Sequence, residues 1–347
     1  MPVFFFGQAL PDRTAARLYS QAMMRLLQTL PEGPLDIVGD IHGELGALQD
    51  LLQHLGYHVD GRHPENRFLV FVGDLVDRGP DSPGVVRLVR EFRDAGRAAC
   101  IAGNHELNLL LGKERSGNEW FFGQGQELRD NGHLIPQVLA DDALREEILL
   151  FLQTLPLALQ RPDLRVVHAC WEPSALRHLE HDRRSLVDLF YETERSITEA
   201  CIAQGHAPNS IEADLARQNE NPVTVLTSGK ERPAAEPFRA GGRMRKVERV
   251  AWWEDYRSET PVVFGHYWRA MDPKHRAVKR GPYLFEQIPF EAPLGPGGNA
   301  YCVDYSIGYR NVARAKGEEG KRSAALMALQ VPEFELVADD GRRYPAR

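Results

Sequence analysis

The sequence predicts an α/β fold in which parallel strands bring acidic and imidazole side chains to one crevice, and three observations carry that prediction. First, short apolar runs at residues 35–38 (LDIV), 68–72 (FLVFV) and 98–102 (AACIA) each stop at a glycine: Gly39, Gly73 and Gly103. Largely continuous hydrophobic runs of this length are how strands covered on both faces read. Second, the stretches between them place apolar residues at helical spacing: Leu45, Leu48, Leu51, Leu52 and Leu55, then Val85, Val86, Leu88, Val89 and Phe92; these are core faces. Third, the strings GDIHG (39–43), GDLVDRG (73–79) and GNHE (103–106) set Asp40, His42, Asp74, Asn104 and His105 just past the strand ends. Open α/β sheets bind ligands outside the carboxyl ends of their strands.

The remaining elements follow in chain order. Residues 12–30 carry Ala15, Ala16, Leu18, Met23, Leu26, Leu27 and Leu30 at mostly helical spacing, which predicts an N-terminal helix packed on the sheet. Past GNHE, residues 107–111 begin a helix, and 112–125 form a loop rich in Gly, Trp and Phe whose aromatic residues fill a core edge or line the site. Two later apolar runs, 164–167 and 261–265, end at His168 and His266. Between those histidines, 176–204 reads as helical. Residues 205–245, with Pro208, Asn221-Pro222, Gly229, Pro233, Pro237 and Gly241-Gly242, read as turn-rich. The expected organisation is one domain over 1–347 with an inserted cap or excursion at 175–250. Its 205–245 stretch either covers the site and selects substrate or runs as a solvated surface loop. The basic tail Arg243, Arg245, Lys246 and Arg249 either meets an anionic substrate or is a solvated face.

Composition bounds the function. With 347 residues, 43% hydrophobic and 26% charged, the chain can bury a large core. A net charge of −7 argues against a strongly electrostatic nucleic-acid binder, which needs a basic footprint. Cys100, Cys170, Cys201 and Cys302 are widely spaced without a CxxC, so buried reduced thiols are expected rather than a disulfide framework or a zinc ribbon. No apolar run approaches the roughly 20 residues of a membrane helix, and the apolar start at residues 1–7 lacks a basic flank, so a cytoplasmic protein without membrane contact is expected.

The residue types at the strand ends point to metal chemistry. Carboxylate, carboxamide and imidazole donors suit two divalent ions, Mn foremost and Fe, Zn, Co or Ni as alternatives, whereas thiolates would suggest structural zinc. Two such ions sit about 3.5–4 Å apart in hydrolases, commonly bridged by one carboxylate. Asp74 is the natural bridge, and His168 and His266 complete the second ligand set.

Taken together, GDIHG, GDLVDRG, GNHE, a strand-final His and a Gly-His resemble, across residues 35–310, the calcineurin-like metallophosphoesterases of the phosphoprotein-phosphatase type. The resemblance implies a four-layer α/β/β/α sandwich with a dinuclear site at the strand C-terminal ends. It implies Asp40, His42 and Asp74 as ligands of one metal, and Asp74, Asn104, His168 and His266 as ligands of the other. His105 is similar to the family's general acid with Asp77 behind it, and Arg78 to its phosphate-gripping arginine. The implied reaction is direct attack of a metal-bound hydroxide on phosphorus. Elementary chemistry supports the last roles: a carboxylate keeps an imidazole near cations protonated, and a guanidinium fork matches two phosphoryl oxygens.

Departures from the family bear on substrate. Ala102 stands where eukaryotic Ser/Thr phosphatases carry a second arginine. The segment GDLVDRGPDSPGVVRLV looks like that of bacterial diadenosine tetraphosphatases and of the phosphatase module of polynucleotide kinase-phosphatase. Their late Asp-Thr-Gly is matched here only at Asp304, a catalytic candidate, and residues 324–332 resemble their final strand. Trp171 and Trp268, which follow His168 and His266, are candidates for stacking on substrate, with core packing as the alternative. The expected function is a metal-dependent phosphatase acting on phosphate monoesters of proteins or small molecules. The alternatives are a nucleotide, dinucleoside polyphosphate or RNA-end phosphohydrolase, and a non-catalytic phosphate-binding protein.

Overall fold

The computed structural model describes residues 25–123, 126–129, 133–240, 243–272, 282–317 and 324–347. The predicted strand–helix alternation opens the chain: β1 (Leu27–Thr29), β2 (Leu35–Val38), α1 (Leu45–Leu55), β3 (Phe68–Phe71), α2 (Ser82–Asp94), β4 (Ala98–Cys100) and α3 (Asn104–Leu110). Local chemistry sets the helix ends. Gly56 closes α1 at φ 93°, and Asp81 caps α2 by accepting the Gly84 N–H, with Pro83 in the first turn. A hairpin, β5 (Gln126–Arg129) and β6 (His133–Pro136), leads to α4 (Asp142–Leu152), β7 (Ala158–Arg161) and β8 (Leu164–Val167).

Between His168 and His266 come α5 (Pro173–Glu180), α6 (Leu186–Ala203), α7 (Ile211–Glu220), α8 (Pro222–Ser228) and an antiparallel hairpin, β9 (Glu231–Ala240) and β10 (Arg243–Arg249). The chain finishes with β11 (Val262–Phe264), β12 (Ala300–Cys302), α9 (Arg310–Ala315), β13 (Met327–Val331), β14 (Glu335–Ala338) and β15 (Arg343–Pro345).

Two mixed sheets form the centre. One runs β15-β14-β13-β2-β3-β4, with β2, β3 and β4 parallel; the other runs β1-β7-β8-β11-β12, with β8, β11 and β12 parallel. Strand alternation divides their side chains between two cores. Leu35, Ile37, Val70, Val72, Leu164, Val166, Val263, Met327 and Leu329 fill the space between the sheets. Val38, Leu69, Phe71, Val167, Val262 and Phe264 join Leu48, Leu51, Val85, Val89 and Leu176 from the helices in the outer core. Both faces of each central strand are therefore covered, which is why those runs read as continuously apolar. This is the α/β/β/α sandwich the resemblance implied.

Two expectations change. Residues 26–30 are not helical: Leu27–Thr29 pair in parallel with Ala158–Gln160 of β7, while residues 12–24 of the expected helix lie outside the described residues. Leu26 and Leu30 are buried on either side of that short strand, and the open edge of β7 supplies the hydrogen bonds that override helical spacing. The turn-rich 205–245 region is also more ordered than its prolines suggest. Pro222 sits in the first turn of α8, capped by Asn221, and Pro233 and Pro237 lie on β9, whose outer edge carries no partner strand among the described residues. All four cysteines are buried without a disulfide. Among the described residues no helix is long and apolar enough to cross a membrane.

Candidate metal centre

The parallel strands of the two sheets end at one place. Asp40 follows β2, Asp74 follows β3, Asn104 begins α3 after β4, His168 follows β8, His266 follows β11 and Asp304 follows β12. Glycines allow the approach: a methyl at Gly103 would overlap Asp74 Oδ1, and one at Gly265 would overlap Asp40 Oδ1. The backbone is strained here as well. Of the nine described non-glycine residues at positive φ, five are His42, Asp74, Asp77, Arg78 and His266. Such conformations cost about 1–3 kcal/mol each and persist only where surrounding contacts over-determine them.

Two groups of buried donors share Asp74: His42, Asp74 and His105, and Asp74, His168 and His266. In the second, His168 donates through Nδ1 to the Val72 carbonyl at 2.8 Å. That fixes the ring so that Nε2 faces the site, 3.4 Å from both Asp74 Oδ1 and Asn104 Oδ1, and offers a lone pair there once a cation displaces its proton. His266 Nδ1 lies 2.8 Å from the same Asn104 oxygen, and its buried Nε2 has no hydrogen-bond partner among the described residues. In the first, His42 Nδ1 is held by the Val76 carbonyl at 3.1 Å, leaving Nε2 3.8 Å from Asp74 Oδ2. Lone pairs of carboxylate, carboxamide and imidazole aimed at a common point fit a divalent cation.

The electrostatics say the same. Burial pulls the His168 imidazole down, but the Asp74 charge beside it carries it up to about 10. Burial, then Asp304 and Asp74, push the Asp40 carboxyl well above its ordinary range. Burial would raise Asp74, yet His168 and His105 hold it well below. The cluster as it stands is short of positive charge.

Asp40 belongs to neither tight group; its carboxylate accepts the His266 backbone N–H at 3.1 Å. Asp304 is 1% exposed, its Oδ1 taking the Ser306 N–H at 2.8 Å and its charge felt by Asp40. His105 bonds through Nδ1 to Asp77 Oδ2 at 2.6 Å, and Arg78 reaches both His42 Nε2 and His105 Nε2 at 3.0 Å. Trp268 lies half-buried with the Arg78 and Arg249 guanidinium groups 5.8 and 4.9 Å from its ring centre. Trp171 goes elsewhere: its ring lies under Arg165 at 5.1 Å, in a cavity shared with Trp252 and Tyr256 whose lining contains none of the donors above.

Three residues at the site were not singled out from sequence. Glu106, fully buried, accepts the backbone N–H groups of Asp74, Leu75 and Gly103, each at 2.8 Å, and so ties the ends of β3 and β4 together. The signal was its place in GNHE. Trp120 donates its indole N–H to Asp77 Oδ1 at 2.8 Å. Arg249, from the basic tail, donates to the His266 carbonyl at 3.1 Å, bringing the end of β10 to the site; nothing local distinguished it from its basic neighbours.

The family comparison agrees with this geometry. The Calcineurin-like phosphoesterase family model matches residues 33–266. The chain is 47% identical over 74 residues to the asymmetrical bis(5'-nucleosyl)-tetraphosphatase PrpE of Oceanobacillus iheyensis, a match that spans 20% of this chain and only 30% of that relative's length. It is 26% identical over 234 residues to the enzyme of the same name from Bacillus anthracis, covering 67% of this chain and 77% of the relative. A solved protein serine/threonine phosphatase from Saccharomyces cerevisiae is 15% identical with a TM-score of 0.48, covering 97% of this chain and 91% of that one. With a family match over the span that holds every donor of the two groups, the chain belongs to the calcineurin-like phosphoesterase family.

Proposed function

We propose that this chain is a two-metal phosphoric ester hydrolase whose substrate is a nucleotide-type phosphoester, a dinucleoside polyphosphate being the first candidate. The observation that carries the reaction class is the pair of buried donor groups sharing Asp74, beside a guanidinium and a paired imidazole. Asp40, His42 and Asp74 would hold one ion and Asp74, Asn104, His168 and His266 the other; when bound, such ions supply Lewis-acid charge to phosphoryl oxygens and lower the pKa of water.

The chain's own groups do the rest. Arg78, poised between His42 and His105, grips two phosphoryl oxygens. With Arg78 drawn from its Nε2 onto the phosphate, His105 as the imidazolium gives the Nε2 proton to the leaving oxygen, its Nδ1–H anchored on Asp77. Glu106 holds the Asp74 backbone in place. The 175–250 insertion contributes Arg249, which with Arg78 sets two cations beside the Trp268 ring. A flat ring with two guanidinium groups suits a ligand that joins a base to several phosphates, and the relatives named above act on bis(5'-nucleosyl) tetraphosphates by their names.

The test is metal-stripped protein reconstituted with Mn and compared with Asp74→Asn. The panel is diadenosine tetraphosphate, phosphoserine and phosphotyrosine peptides, 3'-phosphorylated RNA and bis-nitrophenyl phosphate. Diadenosine tetraphosphate should turn over fastest, and Asp74→Asn should lose all activity. Faster turnover of the peptides moves the substrate to phosphoproteins. Activity retained in Asp74→Asn, or none on any member, overturns the hydrolase. His105→Asn should slow alkyl phosphates more than nitrophenyl phosphate, whose leaving group needs less help.

A further inference from the structure

We infer that Trp120 is a positioning residue for the Asp77–His105 pair, acting through its indole N–H; the inference rests on His105 serving as the proton donor. Asp77 is fully buried, and its two carboxylate oxygens are divided between two partners: Oδ1 takes the Trp120 N–H at 2.8 Å and Oδ2 takes the His105 N–H at 2.6 Å. One contact alone leaves a carboxylate able to rotate about its last bond; two opposed contacts fix its plane. The plane of Asp77 in turn sets the tilt of the His105 ring, and with it the direction of Nε2.

Trp120 is itself immobilised. It is fully buried, packs edge-on against Phe121 at 5.4 Å, and its carbonyl accepts the Ala140 N–H at 3.1 Å. The same loop holds the next residue along: the Arg78 N–H donates to the Gly117 carbonyl at 2.9 Å, and Gln137 Nε2 bonds that carbonyl at 3.1 Å. Asp77 and Arg78 are consecutive non-glycine residues at φ 74° and 67°, a conformation that needs outside support. The loop therefore clamps the two residues on which proton donation and phosphate gripping depend, one through its side chain and one through its backbone.

A bulky core side chain would do none of this through its N–H, so the test removes the N–H and keeps the ring. Trp120→Phe, and β-(3-benzothienyl)alanine placed at position 120 as an isosteric ring without the N–H, should each lower kcat about 10-fold on phenyl phosphate and less on nitrophenyl phosphate. KM should stay within two-fold. A 10-fold loss corresponds to about 1.4 kcal/mol of transition-state stabilisation. In an Asp77→Asn background the same changes should add little, because a residue acting through Asp77 has nothing left to act on. Full additivity with Asp77→Asn, or equal losses on both leaving groups, would overturn the assignment and leave Trp120 a packing residue. Should His105→Asn itself show no leaving-group dependence, the proton-donor reading fails first. A dependence in His105→Asn that is absent from both Trp120 variants defeats this inference alone. If Trp120→Phe does not fold, the isostere carries the test.

Discussion

Asp36→Ala should cost stability and leave the chemistry intact. Asp36 lies within β2, is fully buried, and is surrounded by donors: Arg67 Nε at 3.0 Å, Tyr57 OH at 2.7 Å and Gln330 Nε2 at 2.9 Å. Burial, then the charge of Asp36, raises the Tyr57 hydroxyl well above its ordinary value, so it stays a donor. Truncation leaves the Arg67 guanidinium, whose side chain is 4% exposed, with Glu333 as its remaining acid partner. Breaking a buried pair costs about 3–5 kcal/mol, and each orphaned neutral donor about 1–3. Arg67 keeps Glu333 and the Leu35 and Val331 carbonyls as acceptors, so the total settles at the low end, about 4–6 kcal/mol.

Urea unfolding reads this directly. With a slope near 3 kcal/mol/M, the midpoint should fall by roughly 1.5–2 M at unchanged slope. Asp40 is four residues further along the chain, past the end of β2 and up to about 13 Å away at 3.3 Å per extended residue, so kcat per folded molecule should not change. Asp36→Leu combined with Arg67→Met should recover most of the loss, because no buried charge then lacks a partner. A loss below about 1 kcal/mol, or a fall in kcat of the folded fraction, would refute the reasoning.

The metal-free protein should gain stability as pH falls from 8 to 6.5. Burial and then Asp74 push Glu106 up to about 7, burial and then Asp304 raise Asp40, and Asp74 carries His168 up to about 10 against burial. A group whose folded value exceeds its unfolded one contributes stability present below the unfolded value and lost as pH rises through the folded value, so Glu106 and His168 act in one direction across this window, and Asp40 adds in that same direction where it titrates. His42 and His266, both lowered chiefly by burial, oppose it increasingly as pH falls toward their ordinary 6.5, where the unfolded imidazoles take up protons that the folded ones do not. The thermal midpoint against pH checks this, a flat or reversed slope counts against it, and Mn should flatten it. Separately, Gly265→Ala should displace Asp40, because the added methyl would overlap Oδ1. Calorimetric titration should show Mn binding weakened by about 10–100-fold, the range found when support around a ligand is disturbed; unchanged affinity would mean that Asp40 moves without consequence.

Much of the centre was legible because local physics and sequence order coincide there. A strand buried on both faces has to be apolar along its length, and a sharp turn at its end favours glycine, so the runs ending at Gly39, Gly73 and Gly103 marked the strand ends, while only the structure shows Gly103 against Asp74 and Gly265 against Asp40. Asp77 and His105 were paired by the family resemblance, with the chemistry of a carboxylate beside an imidazole in support, and they meet at 2.6 Å. Trp171 and Trp268 looked equivalent in sequence, each just after a strand-final histidine. One lies under Arg165 in a separate cavity and the other beside Arg78, a difference set by partners distant in the chain.

By itself, then, the sequence determined the strand–helix alternation, the donor types and the strand ends that carry them, since each depends on residues within a few positions of one another. Tertiary structure decided what depends on distant partners. Leu27–Thr29 became a strand because β7 had an open edge, Arg249 reached His266 because a hairpin returns to the site, and Trp120 met Asp77 across 43 positions. A hydrogen bond between remote segments leaves no periodicity or spacing in the chain, because its geometry exists only once the sheets have packed.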